Sequence, residues 1–487
     1  MRDSLSVPTP LSSAISTDKD PLTTKLENIE NQFTNWTSNV ETLQNIITEF
    51  TVQYKEALAE SDISMIPCYN YLLGGNELGN YLSLDLGGST LRVSVITLDG
   101  ANSTAKVVVS KNFGIPDSKK TINFAFFDWI AHNINEVISG NCSAFADSEE
   151  IMAGVTWSFP IFQTSSSDGT INKCGKGYNL DPRIFKMSIK SLFENSCSKY
   201  KIKLKILSLI NDTVSVYLTA KFLDSSTSMG LVLGTGTNCC LFLPTNYINQ
   251  NKADLNKDVL AGNNYHNLCL FNTEVSFFGE HVKSNVTKYD QQIFDWHSLE
   301  HAHLSNNFEG LFQPLEFLTS GRYISELCRL MVVDLIQQGL ILKSQSPGDG
   351  LFQKYDFFTG EFCSNFYNLQ DNKGCAEYFQ QNFQAQCSDR DVAAIKKIID
   401  MVIDRAAAIL ACSVVSLESL VELDNGSKIR SIGYDGSVLN NFHHYRSRFE
   451  HYLSILNPQM EYRLDFMNDS SILGAAIAAA ANNNSVG

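Results

Sequence analysis

The sequence predicts an α/β protein that consists of two related lobes. At 487 residues the chain is too long for one hydrophobic core. Strand patterns and helix patterns alternate along it, which is typical of the α/β class. A strand, a glycine-containing turn and a second strand occur twice, and laying residues 84–90 over residues 231–237 aligns Gly87 with Gly234. We therefore expect an internal duplication, with one sheet in each lobe.

The composition indicates a globular protein and excludes several classes of partner. Lys and Arg number 37 and Asp and Glu 52, so the net charge is −15. This charge argues against nucleic acid and anionic membranes as partners, so we expect phosphate to be bound by local groups. The N-terminus lacks the apolar stretch of a signal peptide and no apolar run approaches 18 residues, which predicts a cytoplasmic protein without a membrane span. Twelve cysteines without a CxxC pair favour buried thiols over a zinc site.

The N-terminal segment predicts a disordered tail followed by one long helix. Residues 1–19 are rich in Ser, Thr and Pro and offer little apolar surface to offset the entropy of ordering. Asp20 and Pro21 form a capping pair, and apolar residues then recur every three or four positions up to Tyr54. We expect residues 20–75 to form a helix that packs on the large lobe. The spacing also suits a coiled coil, but clear e/g charge pairing is missing, which favours packing on the protein's own body.

The first glycine-containing turn lies in a predicted β-meander. Strands are indicated on both sides of the turn within residues 81–97, and a third follows at Ala105 to Val109. Because the glycines join two strands and do not open a helix, neither a P-loop nor a Rossmann fingerprint fits. Two such tips facing each other can offer backbone N–H groups and hydroxyls to nucleotide phosphates, whereas either tip taken alone would be interpreted as a tight turn. Asp85, at the end of the first strand, is placed to hold Mg²⁺ directly or through water.

A second candidate site follows the predicted strand Lys205 to Ile210. Asn211 and Asp212 come directly after it, where active-site residues of α/β proteins often lie. An Asp there can take a proton from a hydroxyl nucleophile, while the alternative is an ordinary helix N-cap. Further helices are predicted at residues 126–138, 315–338, 393–420 and 471–481.

Seven motifs in order resemble the hexokinase family of ATP-dependent sugar kinases. They are DLGGSTLR, SFP with GKGY, NDT, LGTGTN, NTEVSFFG, SGRYISE and DGS, within roughly residues 65–480. The resemblance implies the two-lobed actin-like (ribonuclease-H-like) hexokinase fold, with small and large lobes around a central cleft. It implies a small lobe at 76–211, a large lobe at 212–465 and a C-terminal helix at 466–487 that returns to the small lobe. A small-molecule sugar and ATP with Mg²⁺ are the implied partners, and we expect a monomer or weak homodimer.

The resemblance also implies a role for each motif residue. Asp212 would be the general base that accepts the proton of the sugar 6-hydroxyl, with Lys176 as a second catalytic residue closing over the sugar. The implied sugar-binding residues are Ser158, Phe159, Gly175, Asn211, Asn238, Glu274 and Glu316. The implied residues around ATP are Asp85, Gly87, Gly88, Ser89, Thr90, Arg92, Thr235, Arg322, Gly436 and Ser437, with Asp85 as the metal ligand. These types suit phosphoryl transfer, which depends chiefly on positioning and electrostatic stabilisation.

Departures from the family pattern bear on the identity of the sugar. Gly175 stands where the family has Thr, and Val275-Ser276-Phe277 replaces Trp-Gly-Ala, so we expect a reshaped pocket with apolar room for a 2-acetamido group. The resemblance extends to fungal members that phosphorylate N-acetylglucosamine, which predicts N-acetylglucosamine 6-phosphate as the product. A glucose or mannose hexokinase or glucokinase is the alternative. A sugar sensor with weak catalysis is a further one, against which the retained Asp212 and Lys176 argue.

Overall fold

The computed structural model describes residues 19–485 apart from 70, 72, 141–142, 146–147, 160, 172–177, 263–266, 301–312, 344–353, 356 and 422–427. Almost all of the predicted tail, and the candidate residues Gly175 and Lys176, therefore lie outside the described residues.

Helices and strands alternate along most of the chain, as predicted for the α/β class. The strands are β1 (Ile66–Cys68), β2 (Leu78–Leu86), β3 (Thr90–Asp99), β4 (Thr104–Gly114), β5 (Thr121–Ile122), β6 (Ile151–Trp157), β7 (Ile161–Ser165), β8 (Asp168–Ile171), β9 (Asn179–Leu180), β10 (Leu204–Ile210), β11 (Thr227–Leu233), β12 (Thr237–Pro244), β13 (Leu268–Asn272), β14 (Ile429–Asp435) and β15 (Glu461–Phe466). The helices are α1 (Pro21–Thr37), α2 (Val40–Glu60), α3 (Phe124–Ser139), α4 (Ile189–Ser198), α5 (Asp212–Leu223), α6 (Gln250–Leu255), α7 (Lys257–Gly262), α8 (Lys288–Glu300), α9 (Pro314–Thr319), α10 (Gly321–Gln337), α11 (Gly360–Asn368), α12 (Asn372–Phe383), α13 (Asp389–Glu418), α14 (Ser437–Asn441), α15 (His443–Leu456) and α16 (Ser470–Ser485).

Two large sheets share one topology. The five-stranded sheet has the order β4-β3-β2-β6-β10, and the six-stranded sheet has the order β1-β13-β12-β11-β14-β15. In each, a three-stranded antiparallel meander (β2 to β4, or β11 to β13) is followed by two parallel strands. The predicted duplication is therefore confirmed, and the two glycine-containing turns occupy the same place in the two sheets.

Both large sheets are covered on two faces, which determines the surroundings of two adjacent cysteines. Strand alternation on β12 points Cys239 and Cys240 to opposite faces of the sheet. Both are fully buried, because Cys239 packs in the large-lobe core and Cys240 packs on the opposite face, among residues of α5 and α16. Burial raises the pKa of Cys239 and of Cys240, so these thiols serve packing.

The N-terminal segment differs from the prediction of one long helix. Two helices, α1 and α2, meet at Ser38 and Asn39, where the Asn39 side chain accepts a hydrogen bond from the Glu41 amide and starts α2. The apolar spacing continues across this break, which is why periodicity alone did not reveal it. Within the same segment, β1 pairs with β13 at the edge of the six-stranded sheet. Phe33 and Phe50 are fully buried against the large-lobe core, so the helices pack on the protein's own body.

The predicted helix at residues 315–338 is also divided. Ser320 is extended between α9 and α10, and the Gly321 amide donates to the carbonyl of Gly234 in the second hairpin tip at 2.9 Å. This bond replaces a helical one and brings the N-terminus of α10 to the tip.

Helices α5 and α16 lie between the two sheets. α5 packs on β11 and β14 of the six-stranded sheet, and α16 packs on β2, β6 and β10 of the five-stranded sheet. Their mutual approach needs small residues, because a Cβ on Gly154 would lie 1.9 Å from the Ala475 carbonyl oxygen and one on Gly474 would lie 2.3 Å from that of Ser215. The backbone of the Ala-rich helix α16 is therefore in direct contact with the backbones of β6 and α5. Among the described residues, no helix is both long and apolar enough to span a membrane.

Candidate functional site

Three carboxylates meet where the ends of strands from both sheets face each other. Asp85 is the penultimate residue of β2, Asp435 ends β14, and Asp212 opens α5. Burial raises the pKa of Asp85 to about 6; the Arg92 guanidinium opposes this rise and the charge of Asp212 adds to it. Burial also raises the pKa of Asp435, again with a contribution from Asp212. The site therefore concentrates negative charge, which favours a cation or a proton donor.

Arg92 supplies a positive charge beside these carboxylates. It lies opposite Asp85 in the β2–β3 register. Its Nη1 donates to Asp469 Oδ1 at 2.7 Å. Asp469, in the turn before α16, has a φ of +56°, a conformation that non-glycine residues rarely adopt. Sequence reasoning missed Asp435 and Asp469 as site residues, although Asp435 opens the DGS motif.

The sequence left two roles open for the Asn211-Asp212 pair, a helix N-cap and a proton acceptor, and the structure places one residue in a position for each. The Asn211 side chain accepts from the Thr213 amide at 2.8 Å and caps α5, so the N-cap alternative holds for Asn211. Asp212 Oδ1 accepts from the same amide at 2.8 Å, and the side chain remains partly exposed. The N-terminal turn of a helix stabilises a carboxylate, so Asp212 is anchored through one oxygen at the mouth of the cleft.

A chain of hydrogen bonds joins two of the predicted sugar-binding residues. Asn238 Nδ2 donates to Asn272 Oδ1 at 2.8 Å, and Asn272 Nδ2 donates to Glu274 Oε1 at 2.7 Å. Glu274 has a φ of +49°, which turns the backbone sharply after β13. Asn272 was not among the predicted site residues, although it opens the NTEVSFFG motif.

Glu316 lies against the tip of the second hairpin. A Cβ on Gly236 would lie 2.6 Å from Glu316 Oε2, so the absence of a side chain at this position makes room for the carboxylate. One turn of chain earlier, Gln313 Nε2 donates to Ser276 Oγ at 3.2 Å. The structure thus brings Glu274 and Glu316 onto segments that are tied to each other.

Val275, at one departure from the family pattern, lies in the core. Its side chain is fully buried among the large-lobe residues. Phe159 is also buried. The residue is 5% exposed, and its ring lies against Trp157 and Tyr178 in the small-lobe core. Ser158, by contrast, is partly exposed, and its amide donates to Leu86 at the end of β2.

Each hairpin tip is closed by a backbone hydrogen bond, but the two bonds span different numbers of residues. The Gly87 amide donates to the Thr90 carbonyl at 3.0 Å, and the Gly234 amide donates to the Gly236 carbonyl at 2.9 Å. Ser89 and Thr235 are exposed at the two tips. Gly88 is partly exposed at the first tip. These tips present hydroxyls and backbone close to Asp85 and Asp435.

Glycines from four segments converge behind the second tip. The Cα of Gly436 lies 3.8 Å from the place of a Cβ on Gly234, and a Cβ on Gly360 would lie 3.5 Å from the Gly321 carbonyl oxygen. Gly436 has a φ of +118°, and a Cβ there would lie 2.2 Å from the Leu233 carbonyl oxygen, so only glycine fits. Sequence reasoning named Gly436 but missed Gly321 and Gly360, whose significance lies in contacts over long chain distances.

Arg322 and Ser437 border this glycine surface. Both are exposed, and each lies in the first turn of its helix, α10 or α14. The Arg322 guanidinium lies 5.7 Å from the ring centre of Tyr355 and 5.8 Å from that of Tyr323. A cation and helix N-termini on this side suit an anionic ligand.

The described residues contain no group of three or more His, Cys, Asp or Glu side chains that could hold a metal ion. A Mg²⁺ ion that keeps several waters and binds phosphate oxygens needs only one or two protein carboxylates. The donor set around Asp85 fits an ion of that kind and does not fit a metal held by the protein alone.

Comparisons with known proteins cover nearly the whole chain. A family model described as hexokinase matches residues 228–481, and a second hexokinase model matches residues 25–222. N-acetylglucosamine kinase 1 of Candida albicans is 33% identical over 458 residues, which cover 89% of each chain. Hexokinase-2 of Saccharomyces cerevisiae is 28% identical over 476 residues, covering 94% of this chain and 91% of that one. A solved hexokinase of Schistosoma mansoni complexed with glucose has a TM-score of 0.76 at 22% identity, covering 94% of this chain and 98% of its own, which confirms the two-lobed fold.

Proposed function

The chain belongs to the hexokinase family and is a sugar kinase, and from this we propose that it phosphorylates the 6-hydroxyl of N-acetylglucosamine with ATP. The observation that carries the choice of sugar is the 33% identity to a fungal N-acetylglucosamine kinase, against 28% to a yeast hexokinase over a similar length. The Gly175 departure, outside the described residues, agrees with this choice. The choice does not depend on Val275, which lies in the core.

Asp212 is the proposed general base. It accepts the proton of the sugar 6-hydroxyl as the O6–phosphorus bond forms and the bond from the γ-phosphorus to the bridging oxygen of ADP breaks. Its position supports this role, since one carboxylate oxygen is anchored to the Thr213 amide and the side chain reaches the cleft. The proposed partner Lys176 would approach from the small lobe when the lobes close over the sugar.

The sugar is proposed to bind between the lobes, against residues of both sheets. Amide and carboxylate groups satisfy polyol hydroxyls with paired hydrogen bonds, and a site that depends on such bonds rejects analogues that lack them. The proposed contacts are Ser158, Asn211, Asn238, Glu274 and Glu316, with Phe159 and Gly175 contributing through their backbone only.

The ATP phosphates are proposed to lie between the two hairpin tips. Backbone N–H groups and the hydroxyls of Ser89, Thr90 and Thr235 can bind them despite the net charge of −15. Arg92 neutralises phosphate charge, and Asp85 holds Mg²⁺ through a water or directly. When bound, the metal ion would supply positive charge that offsets the negative charge developing on the phosphates during transfer. Gly87 and Gly88 allow close approach, and Arg322, Gly436 and Ser437 border the nucleoside.

Two alternatives are outcomes of the same experiment. A glucose or mannose kinase would share the fold and the base, and a sugar sensor would bind sugar without efficient transfer. We would measure kcat/KM for N-acetylglucosamine, glucose and mannose by coupling ADP release to a spectrophotometric assay. At least about tenfold preference for N-acetylglucosamine is expected, because a site built around a polar substituent discriminates strongly against its absence. A preference for glucose or mannose would overturn the choice of sugar, and sugar-independent background rates would overturn the kinase.

A further inference from the structure

We propose that Asn272 is a positioning residue that fixes the orientation of the two sugar-binding side chains Asn238 and Glu274. The proposal rests on the proposed sugar site and extends it to a residue that does not itself contact the sugar. Asn272 ends β13, is 7% exposed, and lies opposite Cys240 in the β12–β13 register.

The polarity of the hydrogen-bond chain carries the argument. At one end, the Cys239 backbone amide can only donate, and it donates to Asn238 Oδ1 at 2.8 Å. The Asn238 amide nitrogen must therefore point the other way, towards Asn272 Oδ1. At the far end, the Glu274 carboxylate can only accept, and it accepts from Asn272 Nδ2. An obligate donor and an obligate acceptor thus determine the orientation of both amides between them.

Asparagine is the side chain of this size that satisfies both neighbours. It offers an acceptor to Asn238 and a donor to Glu274, whereas an aspartate would offer acceptors only. An amide nitrogen carries two hydrogens, so Asn238 can donate one to Asn272 and present the other to a sugar hydroxyl. Glu274 is held at one oxygen while its backbone occupies the left-handed region. Loss of Asn272 would therefore misorient two sugar ligands at once.

The test uses Asn272→Asp and Asn272→Ala in the full-length protein, with Cys240→Ala as the matched control. Cys240 is buried, lies on the same face of β12 as Asn238, and is outside the hydrogen-bond chain. Its truncation therefore reports the cost of disturbing this part of the core. Dissociation constants for N-acetylglucosamine and for glucose would be measured by titration calorimetry between pH 5.5 and 8.5, together with thermal unfolding and sugar-dependent ADP release.

Asn272→Asp is expected to raise the dissociation constant about tenfold or more at pH 8, because two carboxylates then face each other where a hydrogen bond stood. The like charges raise the pKa of the new pair, so the defect should shrink as the pH falls and a shared proton restores a donor. Asn272→Ala should weaken binding at every pH without this trend, and Cys240→Ala should bind as the wild type does. If Asn272→Asp does not fold, the dissociation constants of Asn272→Ala and Cys240→Ala test the proposal.

Binding by both Asn272 variants within twofold of the wild type, or an equal defect in Cys240→Ala, would overturn the proposal. A wild type that binds sugar but releases no ADP would overturn the proposed kinase activity while leaving Asn272 to be judged from the binding constants. A wild type that binds neither sugar would overturn both.

Discussion

Arg92 Nη1 and Asp469 Oδ1 lie 2.7 Å apart, joining the first hairpin of the small lobe to the turn that precedes α16. Arg92 also offsets the charge of Asp85, whose partner in the β2–β3 register it is. Asp469 thereby holds the arginine over the place proposed for the ATP phosphates. Both side chains are about one-third exposed, so the ion pair itself contributes little to stability. We expect loss of the ion pair to affect the use of ATP and not the stability of the fold.

Replacing Arg92 with Ala should lower kcat/KM for ATP by about tenfold or more, since a preorganised positive charge beside the transferred phosphoryl group is lost. Asp469→Asn keeps an acceptor for Arg92 and should change this constant by less than about threefold. Steady-state kinetics at saturating sugar checks both variants. The control is Lys111→Ala, on β4 of the same sheet as Arg92, which breaks an exposed ion pair with Glu136 of α3. Equal constants for Arg92→Ala and Lys111→Ala would contradict the assignment.

Replacing Asp212 with Ala should lower kcat by at least about a hundredfold, as expected when a general base is removed. Sugar binding should remain detectable, because the proposed amide and carboxylate ligands stay in place. ADP release and titration calorimetry on the same preparation separate the two effects. Asp117→Asn, at an exposed residue paired with Lys120, is the control. Turnover at the wild-type rate in Asp212→Ala would refute the role of Asp212.

Asp85→Asn should raise the thermal stability of the protein and lower its catalytic activity. The pKa of Asp85 lies at about 6 in the folded protein, above its ordinary value, because burial disfavours the charged form. Folding is therefore penalised by the ionised group at pH values above about 6, and the penalty disappears as the pH falls below the ordinary value of about 4. We expect the variant to unfold about 1–2 °C higher than the wild type at pH 7.5, with a smaller difference near pH 4.5.

Asp117→Asn is the control for the unfolding temperature, because its pKa shift has the opposite sign to that of Asp85. The hydrogen bond from Lys120 lowers the pKa of Asp117, so its ionised form stabilises the folded state, and the substitution should not raise the unfolding temperature.

The kcat/KM of Asp85→Asn for ATP with Mg²⁺ should fall about tenfold or more if Asp85 holds the ion. Full activity, or a lower unfolding temperature at pH 7.5, would be inconsistent with the proposed balance of burial and function.

Gly236→Ala should weaken sugar binding without preventing folding. The new Cβ would lie 2.6 Å from Glu316 Oε2, and a carboxylate at the end of a side chain can move aside. A displaced ligand should raise the KM for the sugar about tenfold, since small errors in position are costly at a reacting centre. Gly114→Ala is the control, because no heavy atom lies within 4 Å of its Cβ position. An unchanged KM in Gly236→Ala would show that Glu316 is not a sugar ligand.

Features encoded by neighbouring residues were predicted from the sequence. Strand alternation around Gly87 and Gly234 gave both hairpins, and the Asn211-Asp212 pair was placed correctly after a strand. The breaks at Ser38 and Ser320 were missed because apolar periodicity continues through them while the backbone turns. The Ser38-Asn39 pair was a capping signal that could have revealed the first break. The second depends on Gly321 bonding to Gly234, which no local pattern encodes.

The sequence by itself determined the α/β class, the duplication and the motif order, because periodicity, turn chemistry and capping act over a few residues. Only the tertiary structure decided which side chains meet across long stretches of chain, as Arg92 meets Asp469 and Asn238 meets Asn272. It also decided that Val275 faces the core and not the cleft. The physical reason is that these relationships follow from sheet register and from the packing of α16 against α5. Register and packing are set by the whole folded chain.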